Sequence, residues 1–412
     1  MNRSCPRIVW GIIAGAFLLL SLLAAELPEI RLSDKTVPED GKLAYEQIAR
    51  FTLAMEQIHA LYVKSGNPIS YEELIDGAIA GMMSRLDDHS QYMDSETLQS
   101  LQETTRGAFG GVGIVISRSG EWIQVVSPIE DSPGWEVGLI SGDQIRRIDG
   151  ASARGISIEE AVNRLRGEPG SSLRLGIRRP SENRSFEVEL IRAEIKTPSV
   201  SEAALLTENI GYLRIKTFTE ETAQLLRREL TTLNRKGAGG VILDLRGNPG
   251  GLLSSAVEVC GLFLPRDTLV VSTQSREPSE KKVYATKSTP HRFSPDLVIL
   301  INRSSASAAE VVSGALQDHG RARLVGETSF GKASVQSIVP LPDGSALKLT
   351  TANYFTPADR QIQGKGIEPD VVVDFPLQAW FRLNGEPGPE NWEQDPQLRK
   401  AVELLQDGGS GP

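Results

Sequence analysis

Two short segments hold a serine and a lysine that could react together without a histidine. An apolar run at 297–301 predicts a buried strand and residues 306–317 predict a helix, so Ser307 lies at a strand-to-helix turn. There the first helical amides and the helix dipole face any negative charge that forms beside the hydroxyl. Lys332 lies in an uncharged stretch, where burial would lower the pKa of its amine and let it act as a base. Gln336 follows four residues later and could hold that amine by a hydrogen bond.

Each of these residues also has an ordinary structural explanation. Ser307 and Glu310 match the Ser-x-x-Glu capping box, in which the serine only satisfies free helix amides. Most lysines are simply solvated. Because Ser307, Lys332 and Gln336 occur together, the sequence favours a hydrolase with a serine nucleophile and a lysine base.

A glycine-rich turn follows another apolar strand, predicted at 241–245. Residues 246–251, Arg-Gly-Asn-Pro-Gly-Gly, form a turn that glycine and proline adopt readily, and such turns expose backbone N–H groups. On its own this is a weak functional signal, since many strand-to-helix loops are rich in glycine.

These segments resemble the signature of the carboxy-terminal processing proteases, also called tail-specific proteases. The family pattern is similar to Asn-x-x-Ser-Ala-Ser-Ala-x-Glu, followed by Phe-Gly-Lys-x-x-Val-Gln, with the lysine 25 residues beyond the serine. Ala309 is the departure in this stretch, at a position where a serine is often found. The resemblance implies that Ser307 is the nucleophile, Lys332 the general base and Gln336 the residue that orients the lysine.

The resemblance also gives the glycine-rich turn a role. Similar proteins carry an Asp-Leu-Arg-x-Asn-Pro-Gly-Gly motif beside the serine, where a glycine amide and the amide after the nucleophile form the oxyanion hole. Here these donors would be Gly250 or Gly251, with Ala308 as the second. Asp244 and Arg246 of the same motif are expected to be structural partners.

Residues 107–195 resemble a PDZ domain. Short β patterns and an amphipathic helix at 157–165 accompany a Phe-Gly-Gly-Val-Gly-Ile stretch at 109–114. Such a loop offers amides to a terminal carboxylate while the bound peptide adds a strand to a sheet edge. The resemblance implies that the ligand is a free protein C-terminus, and that the loop residues which bind it are Gly110, Gly111, Val112, Gly113 and Ile114.

Arg166 ends the predicted PDZ helix. It matches an arginine that in some relatives couples peptide binding to activation. The alternative is a solvated cation, which the helix dipole favours at this end.

Composition limits the function classes. A chain of 412 residues is expected to hold two or three domains. Its net charge of −9 disfavours a nucleic acid partner, because phosphate binding needs a basic face. The two cysteines and four histidines have no metal-ligand spacing, so no metal and no cofactor are expected.

The amino terminus predicts export. Arg3 and Arg7 precede an apolar run at 8–25, the pattern of an export signal. The run is about long enough to span a bilayer and the site at 23–25 is an imperfect cleavage site, so residues 1–27 are predicted to be either a signal peptide or a membrane anchor. Both alternatives place the protein in the periplasm or cell envelope of a bacterium, in the second case attached to the inner membrane.

The predicted fold is of the α+β multidomain class. The resemblance implies an α/β protease core of the ClpP/crotonase-like type, a small β-rich PDZ domain and an N-terminal helical region. The predicted boundaries after the signal are a helical region at 28–106, the PDZ domain at 107–195, the core at 196–375 and a C-terminal helical tail at 376–412. The polar, Gly-rich residues 406–412 predict a disordered end.

Two histidines offer a different nucleophile partner. His89 could form a Ser-His-Asp triad with Asp87 or Asp88, but the turn at 86–92 resembles one that has a structural role in the family. His319 is twelve residues beyond Ser307 on the predicted helix, more than three turns away.

The function predicted from these features is an exported serine endopeptidase. Its PDZ domain would bind protein C-termini, and its Ser-Lys dyad would hydrolyse peptide bonds to process or degrade envelope proteins. The implied partners are proteins with accessible C-termini, an activating adaptor or lipoprotein, a second copy of the chain, and the membrane through the N-terminal segment. One alternative is an inactive PDZ scaffold that only binds peptides.

A penicillin-recognising acyltransferase is a third hypothesis. It needs a Ser-x-x-Lys motif, which begins at Ser279, Ser329 and Ser345, but no Lys-Thr-Gly completes the set. Ser329 shares Lys332 and is the candidate to follow.

Overall fold

The computed structural model describes residues 40–63, 69–287, 293–375 and 388–407, and the chain divides into two compact units, 1–77 and 78–412. The predicted export segment at 1–27 lies outside the described residues. No helix in the described ranges is long and apolar enough to cross a membrane. The α-helices are α1 (Asp40–Leu61), α2 (Tyr71–Met83), α3 (Ser95–Arg106), α4 (Pro133–Glu136), α5 (Ile158–Leu165), α6 (Thr222–Arg235), α7 (Leu253–Cys260), α8 (Ala308–Asp318) and α9 (Pro396–Gln406).

The first unit contains α1 and the start of α2. Ser70 and Glu73 form a reciprocal cap at the start of α2: the Glu73 amide donates to Ser70 Oγ at 3.1 Å, and the Ser70 amide donates to Glu73 Oε2 at 2.8 Å. The His59 ring of α1 stacks on Tyr71, with 4.3 Å between ring centroids. These contacts tie the two helices together within the unit.

The strands of the second unit form two large six-stranded sheets, a five-stranded sheet and a two-stranded ribbon within the described residues. Those up to residue 196 are β1 (Gln91–Met93), β2 (Ala108–Gly111), β3 (Ile114–Ser119), β4 (Trp122–Pro128), β5 (Gln144–Ile148), β6 (Ala151–Ser152), β7 (Ser172–Arg179), β8 (Arg184–Ile191) and β9 (Ala193–Lys196). Those that follow are β10 (Ala204–Leu205), β11 (Ile210–Arg214), β12 (Gly240–Asp244), β13 (Leu269–Ser275), β14 (Lys282–Ala285), β15 (Asp296–Ile301), β16 (Arg323–Gly326), β17 (Ser334–Pro340), β18 (Ala346–Phe355) and β19 (Val371–Val372).

The antiparallel sheet β3-β4-β5-β7-β8 surrounds its own apolar core and has β3 at one edge. Residues such as Ile123 and Leu175 alternate into this core along their strands, as a half-buried sheet requires. Ser157 caps α5 by accepting the Glu160 amide at 3.0 Å, and α5 packs beside the edge strand β3. Strands β2 and β9, which flank this sheet in the sequence, pair antiparallel in a separate ribbon.

The central sheet of the core has the order β10-β11-β12-β15-β16-β19 and is parallel from β11 onward. Its strands are apolar on both faces: Leu243 and Ile299 pack among residues of α6, α7 and α8, whereas Ile242 and Val298 pack against α9. This explains the unbroken apolar runs of the sequence, because a parallel sheet is covered on both sides. A second, antiparallel sheet joins β1, β18, β13 and β14, with β17 also paired to β18.

The C-terminal helix α9 is part of the core. Arg246, fully buried after β12, donates to Asp244 at 2.7 Å and to Asp395 at 2.7 Å, and Asp395 also caps α9. Asp244 and Arg246 therefore have structural partners. The cluster joins residues 149 positions apart in the sequence.

Two local details differ from the predictions. The predicted helical region at 28–106 also contains strand β1 (Gln91–Met93), whose Met93 is buried and which pairs with β18. Disorder was expected from residue 406, but Gln406 is the last residue of α9 and Asp407 is its C-cap. Burial of one face of α9 stabilises the helix to its end, and residues 408–412 lie outside the described part of the chain.

Candidate active site

Ser307 occupies a strained turn between β15 and α8. Its φ is +54°, a value that few non-glycine residues adopt and one that clusters at functional sites. The Glu310 amide donates to the Ser307 carbonyl oxygen at 2.8 Å, and Glu310 Oε2 accepts the Ser307 amide at 2.8 Å. The capping box is present: the Ser307 hydroxyl oxygen faces the Glu310 amide, an arrangement that leaves the hydroxyl hydrogen for another partner.

The carboxylate of Glu310 is completely buried and holds two segments together. Its Oε2 accepts the amides of Ser307 and Lys332 at 2.8 and 2.9 Å. Its Oε1 accepts the Ser329 hydroxyl and the Gly331 amide, both at 2.6 Å. Burial raises the pKa of this carboxyl, and the four hydrogen bonds oppose that shift.

Tyr354 of β18 makes a second link between the same segments. Its hydroxyl lies 3.1 Å from the Ser307 carbonyl oxygen and 2.5 Å from that of Lys332. The Tyr354 amide also donates to Ala333 at 2.8 Å. Since both links act on backbone atoms, they fix the chain around the serine and the lysine and leave both side chains free.

Lys332 is half-buried, and charges of both signs act on its amine. Burial, followed by the positive charge of Lys348, lowers the pKa of Lys332, while Asp87 and Glu310 act in the opposite direction. A lowered pKa makes the neutral amine more available, as a lysine base requires.

The glycine-rich turn lies directly against Ser307. A Cβ on Gly250 would lie 2.8 Å from the Ser307 Cβ, and one on Gly251, whose φ is +138°, would lie 2.1 Å from the Phe218 carbonyl oxygen. Asn248 sets the turn: its side chain accepts the Gly250 amide at 2.8 Å and its carbonyl oxygen accepts the Ala306 amide at 2.9 Å. The Gly250 amide is thus already occupied.

Ser307, Lys332, Gly251 and Tyr354 line one cleft of about 470 Å³. The polar candidate residues share this cleft with apolar side chains from α3, α7, α8 and β17. The cleft is lined by Leu101, Thr105, Pro249, Gly251, Leu252, Leu253, Ser254, Ser307, Ala308, Val311, Lys332, Ser334, Val335, Gln336, Ile338, Lys348 and Tyr354. The sequence-predicted serine, lysine and glutamine are therefore brought to one cavity.

Gln336 does not contact Lys332 in the way the sequence suggested. Its Nε2 donates to Ser334 Oγ at 2.9 Å and to Thr350 Oγ1 at 3.2 Å. Across the described residues, no hydrogen bond joins Lys332 Nζ to Gln336 or to the Ser307 hydroxyl.

The PDZ-like domain has its own small cavity, of about 140 Å³. It lies between the edge strand β3, helix α5 and the loop after β2, where a peptide could add a strand. Its lining is Phe109, Gly111, Val112, Gly113, Ile114, Ile116, Val162, Leu165 and Arg166. The loop candidate Gly110 is absent from this lining; its carbonyl oxygen accepts the Gly167 amide.

Arg166 connects this cavity to α3. Its guanidinium lies over the Phe109 ring at 4.9 Å, donates to Ser100 Oγ at 3.4 Å and lies 3.8 Å from Glu103. It is therefore a partly buried contact between two elements and not a freely solvated helix end.

Comparison with known proteins decides the family. A carboxy-terminal-processing protease of Bartonella bacilliformis is 39% identical over 380 residues, which cover 91% of this chain and 85% of that protein. The carboxy-terminal processing protease CtpB of Bacillus subtilis is 34% identical over 368 residues, covering 88% of this chain and 75% of that one. The chain belongs to the carboxy-terminal processing protease family. It is a serine-type peptidase, and its substrates are proteins.

Domain models match the same parts of this family member. Peptidase family S41 matches residues 209–373, a PDZ domain matches 124–179, and the N-terminal domain of the activating protease CtpB matches 13–97. Among solved structures, the photosystem II D1 C-terminal processing protease is 27% identical with a TM-score of 0.47, covering 90% of this chain and 97% of that one. The predicted α+β multidomain fold, with a protease core, a PDZ domain and an N-terminal helical region, is confirmed, and the core belongs to peptidase family S41.

The other nucleophile partners considered for this protease are engaged elsewhere. Ser329 is buried, donates to Glu310 and accepts the Ile367 amide, so it braces the turn. His319 caps α8 and its Nε2 lies 2.7 Å from the Leu269 carbonyl oxygen. The His89 amide donates to Asp87 in a local turn, which agrees with the structural role expected for it.

Sequence reasoning missed four residues that shape the protease site: Asn248, Glu310 as a link between segments, Lys348 and Tyr354. Glu310 was recognised only as a capping residue, and Tyr354 was given no role. Beyond the cap itself, the side chains of these two residues bind partners 19 to 47 positions away. No local pattern reports such contacts.

Proposed function

We propose that this protease is an exported endopeptidase that captures protein C-termini with its PDZ domain and cleaves them with a Ser307–Lys332 dyad. The single observation that carries the proposal is the shared cleft, in which the Ser307 hydroxyl and a lysine of lowered pKa lie on segments fixed by Glu310 and Tyr354. The family assignment supports peptide hydrolysis, and this geometry supports the dyad.

In the proposed reaction, neutral Lys332 takes the proton of the Ser307 hydroxyl as its oxygen attacks the peptide carbonyl. The resulting ammonium then protonates the leaving amine, and an acyl-enzyme remains. Water, activated by the same lysine, hydrolyses it. The two side chains must approach more closely for this transfer, as catalytic groups commonly do when substrate binds.

The oxyanion that forms during attack needs two N–H donors. We assign them to Gly251 and Ala308, which line the cleft beside Ser307. Gly250 is the weaker of the two glycine candidates, because its amide donates to Asn248. Removal of one such donor typically costs ~2.7–4 kcal/mol of transition-state stabilisation.

Gln336 is proposed to orient Lys332 through its side-chain oxygen. The Gln336 amide nitrogen donates its two hydrogens to Ser334 and Thr350. Its side-chain oxygen has no hydrogen-bond partner in the described part of the chain and is available to Lys332. A neutral lysine that gives one N–H to Gln336 can direct its lone pair at the serine.

The PDZ cavity is proposed to hold the terminal carboxylate and last side chain of the substrate. Val112 and Gly113 form its loop, and Ile116, Val162 and Leu165 make its floor apolar. Arg166, which contacts both Phe109 and Glu103, is proposed to report peptide occupancy to α3.

Export and assembly are also proposals. The sequence of residues 1–27 supports a periplasmic or envelope location, with the segment as a signal or an anchor. Helix α1 leaves Ile48, Phe51 and Ile58 exposed on one face, which supports a homodimer through this helix. An activating adaptor or lipoprotein stays a prediction.

The test compares wild type, Ser307→Ala and Lys332→Met on an unstructured FRET-labelled polypeptide with a free apolar C-terminus. Both variants should lose cleavage. Because burial lowers the pKa of Lys332, its charged form costs the folded state stability below that pKa, so Lys332→Met should unfold no earlier than wild type. Full activity of either folded variant would overturn the dyad.

A further inference from the structure

Asp87 lies in a turn to which the proposed mechanism gives no part, yet it is connected to Gln336 by two hydrogen bonds in series. Thr350 Oγ1 donates to Asp87 Oδ1 at 3.1 Å, and Gln336 Nε2 donates to Thr350 Oγ1 at 3.2 Å. Asp87 precedes β1, outside the residues 209–373 that match peptidase family S41. A residue beyond the matched core thus reaches the catalytic glutamine.

The turn that carries Asp87 is fixed to the same threonine a second time. The Thr350 amide donates to Ser90 Oγ at 3.1 Å, and Ser90 Oγ donates to Asp87 Oδ2 at 3.0 Å. The amides of His89 and Ser90 donate to Asp87 Oδ1 at 2.9 and 3.0 Å. Although one side of Asp87 is exposed, its carboxylate therefore has a defined position relative to β18.

The direction of these bonds decides how Gln336 is oriented. An ionised carboxylate only accepts hydrogen bonds, so the single hydroxyl hydrogen of Thr350 goes to Asp87. Burial works to raise the pKa of Asp87, but the hydrogen bonds from His89, Ser90 and Thr350 outweigh it and hold that pKa below its ordinary value. The threonine oxygen must then accept from Gln336, which places the amide nitrogen toward Thr350.

The second hydrogen of the Gln336 amide is also used, since Nε2 donates to Ser334 Oγ at 2.9 Å. An amide flipped by 180° would set its oxygen against Thr350, whose hydrogen is already committed. The observed arrangement therefore keeps Gln336 Oε1 as the atom available to an N–H of Lys332, and both residues line the catalytic cleft.

We propose that Asp87 is a positioning residue of the protease, which acts through the Thr350 hydroxyl to keep the Gln336 side-chain oxygen available to Lys332. The inference rests on the proposed dyad and adds a residue to it. Asp87 and Thr350 do not touch substrate, so their effect is on the orientation of the lysine and not on peptide binding.

Asp87 contributes to catalysis through its hydrogen bond to Thr350 and not through its charge. That charge raises the pKa of Lys332 and so makes the neutral base scarcer. A substitution that only removed the charge would favour the base. Asp87→Asn, which keeps an oxygen for Thr350 and for the two turn amides, should therefore recover most of the activity that Asp87→Ala loses.

The decisive experiment removes the Thr350 hydroxyl in the full-length protein. Thr350→Val, which suits a β-strand, should lower kcat about 10- to 100-fold with KM within about twofold, because small misplacements of catalytic groups have effects of this size. Thr350→Ser should restore kcat. Thr351→Val is the matched control. Thr351 follows Thr350 on β18, is exposed, and its hydroxyl contacts Ser337 of β17. Loss of this hydroxyl should change kcat less than about twofold.

A double-mutant cycle separates this role from a merely structural one. In a Gln336→Ala background, Thr350→Val should have no further effect on kcat, with melting temperatures of all variants followed by circular dichroism. Equal losses in both backgrounds, or a Thr350→Val enzyme as active as Thr351→Val, would overturn the inference. If Thr350→Val does not fold, Asp87→Ala and Asp87→Asn replace it in the cycle: Asp87→Ala should lower kcat in the wild-type background and have no further effect in Gln336→Ala, while Asp87→Asn should stay close to its parent in both. Activity surviving in Ser307→Ala would instead count against the dyad itself.

Discussion

The backbone amides of Ser307 and Lys332 donate to the same oxygen, Oε2 of Glu310, at 2.8 and 2.9 Å. One buried carboxylate thus sets the spacing between the proposed nucleophile and the proposed base. Because the other oxygen accepts Ser329 and Gly331, the loop that carries the lysine is held at three points.

Glu310→Gln should therefore damage both stability and catalysis. Whichever way the amide turns, its NH2 group faces at least one backbone N–H, that of Gly331 on one side or those of Ser307 and Lys332 on the other, and each donor left unpaired in a buried site costs ~1–3 kcal/mol. We expect a lower free energy of unfolding in urea and a lower kcat. Glu368→Gln, at an exposed carboxylate, should change stability by no more than about 0.5 kcal/mol. Wild-type values for Glu310→Gln would show that the shared oxygen does not matter.

Lys348 should control the pH dependence of the enzyme. Burial and then the Lys348 charge lower the pKa of Lys332, whereas Asp87 and Glu310 raise it. In Lys348→Met the pKa of Lys332 should rise, and since the base must be neutral, the acidic limb of kcat/KM should move to higher pH with the high-pH plateau unchanged. Lys348→Arg keeps the charge and should keep the wild-type profile. An unmoved limb in Lys348→Met would remove Lys348 from this role.

The PDZ cavity should distinguish a free carboxylate from a blocked one. Hydrogen bonds to a charged group are worth ~1.5–3 kcal/mol, so an amidated peptide should bind Ser307→Ala roughly 10- to 150-fold more weakly than the free acid. Val162→Asp places a negative charge in the cavity and should weaken the free acid, while Asn163→Ala, on the exposed face of α5, should not. Fluorescence anisotropy measures both; equal affinity for acid and amide would exclude carboxylate recognition.

Self-association should depend on the apolar face of α1. Ile48, Phe51 and Ile58 recur at helical spacing and are exposed, so Phe51→Glu should shift the detergent-solubilised protein from dimer to monomer in sedimentation velocity. Gln57→Glu on the opposite side of the helix should have no effect. A wild type that is monomeric at micromolar concentration would contradict the proposal.

The fold class and family could be predicted from sequence because their motifs are contiguous. The apolar runs of β12 and β15 and the cap of α5 are local signals, and all three elements occur where the sequence indicates them. The helix predicted at 306–317 begins at Ala308 instead, because Ser307 adopts a positive φ that no propensity indicates.

Contacts between distant segments could not be predicted. The partners of Gln336 depend on its cross-strand register with Thr350, next to a β-bulge at 335–336, so a spacing of four residues from Lys332 did not predict a hydrogen bond. Strand β1 has three residues, too few for a period to be recognised, and forms because β18 offers an edge.

The C-terminal helix was predicted as a tail, but Asp395 should prove essential to the stability of the core. Asp395→Ala removes a partner of the buried Arg246 and the cap of α9, and loss of one partner from a buried ion pair costs ~3–5 kcal/mol. Urea unfolding should show that loss, while Glu403→Ala, which breaks the exposed pair with Lys400 on the same helix, should cost no more than ~1 kcal/mol. If both substitutions had equally small effects, α9 would be an appendage. A large difference would show that the protease core extends through α9, because the strand end that leads into the glycine-rich turn is held by Arg246.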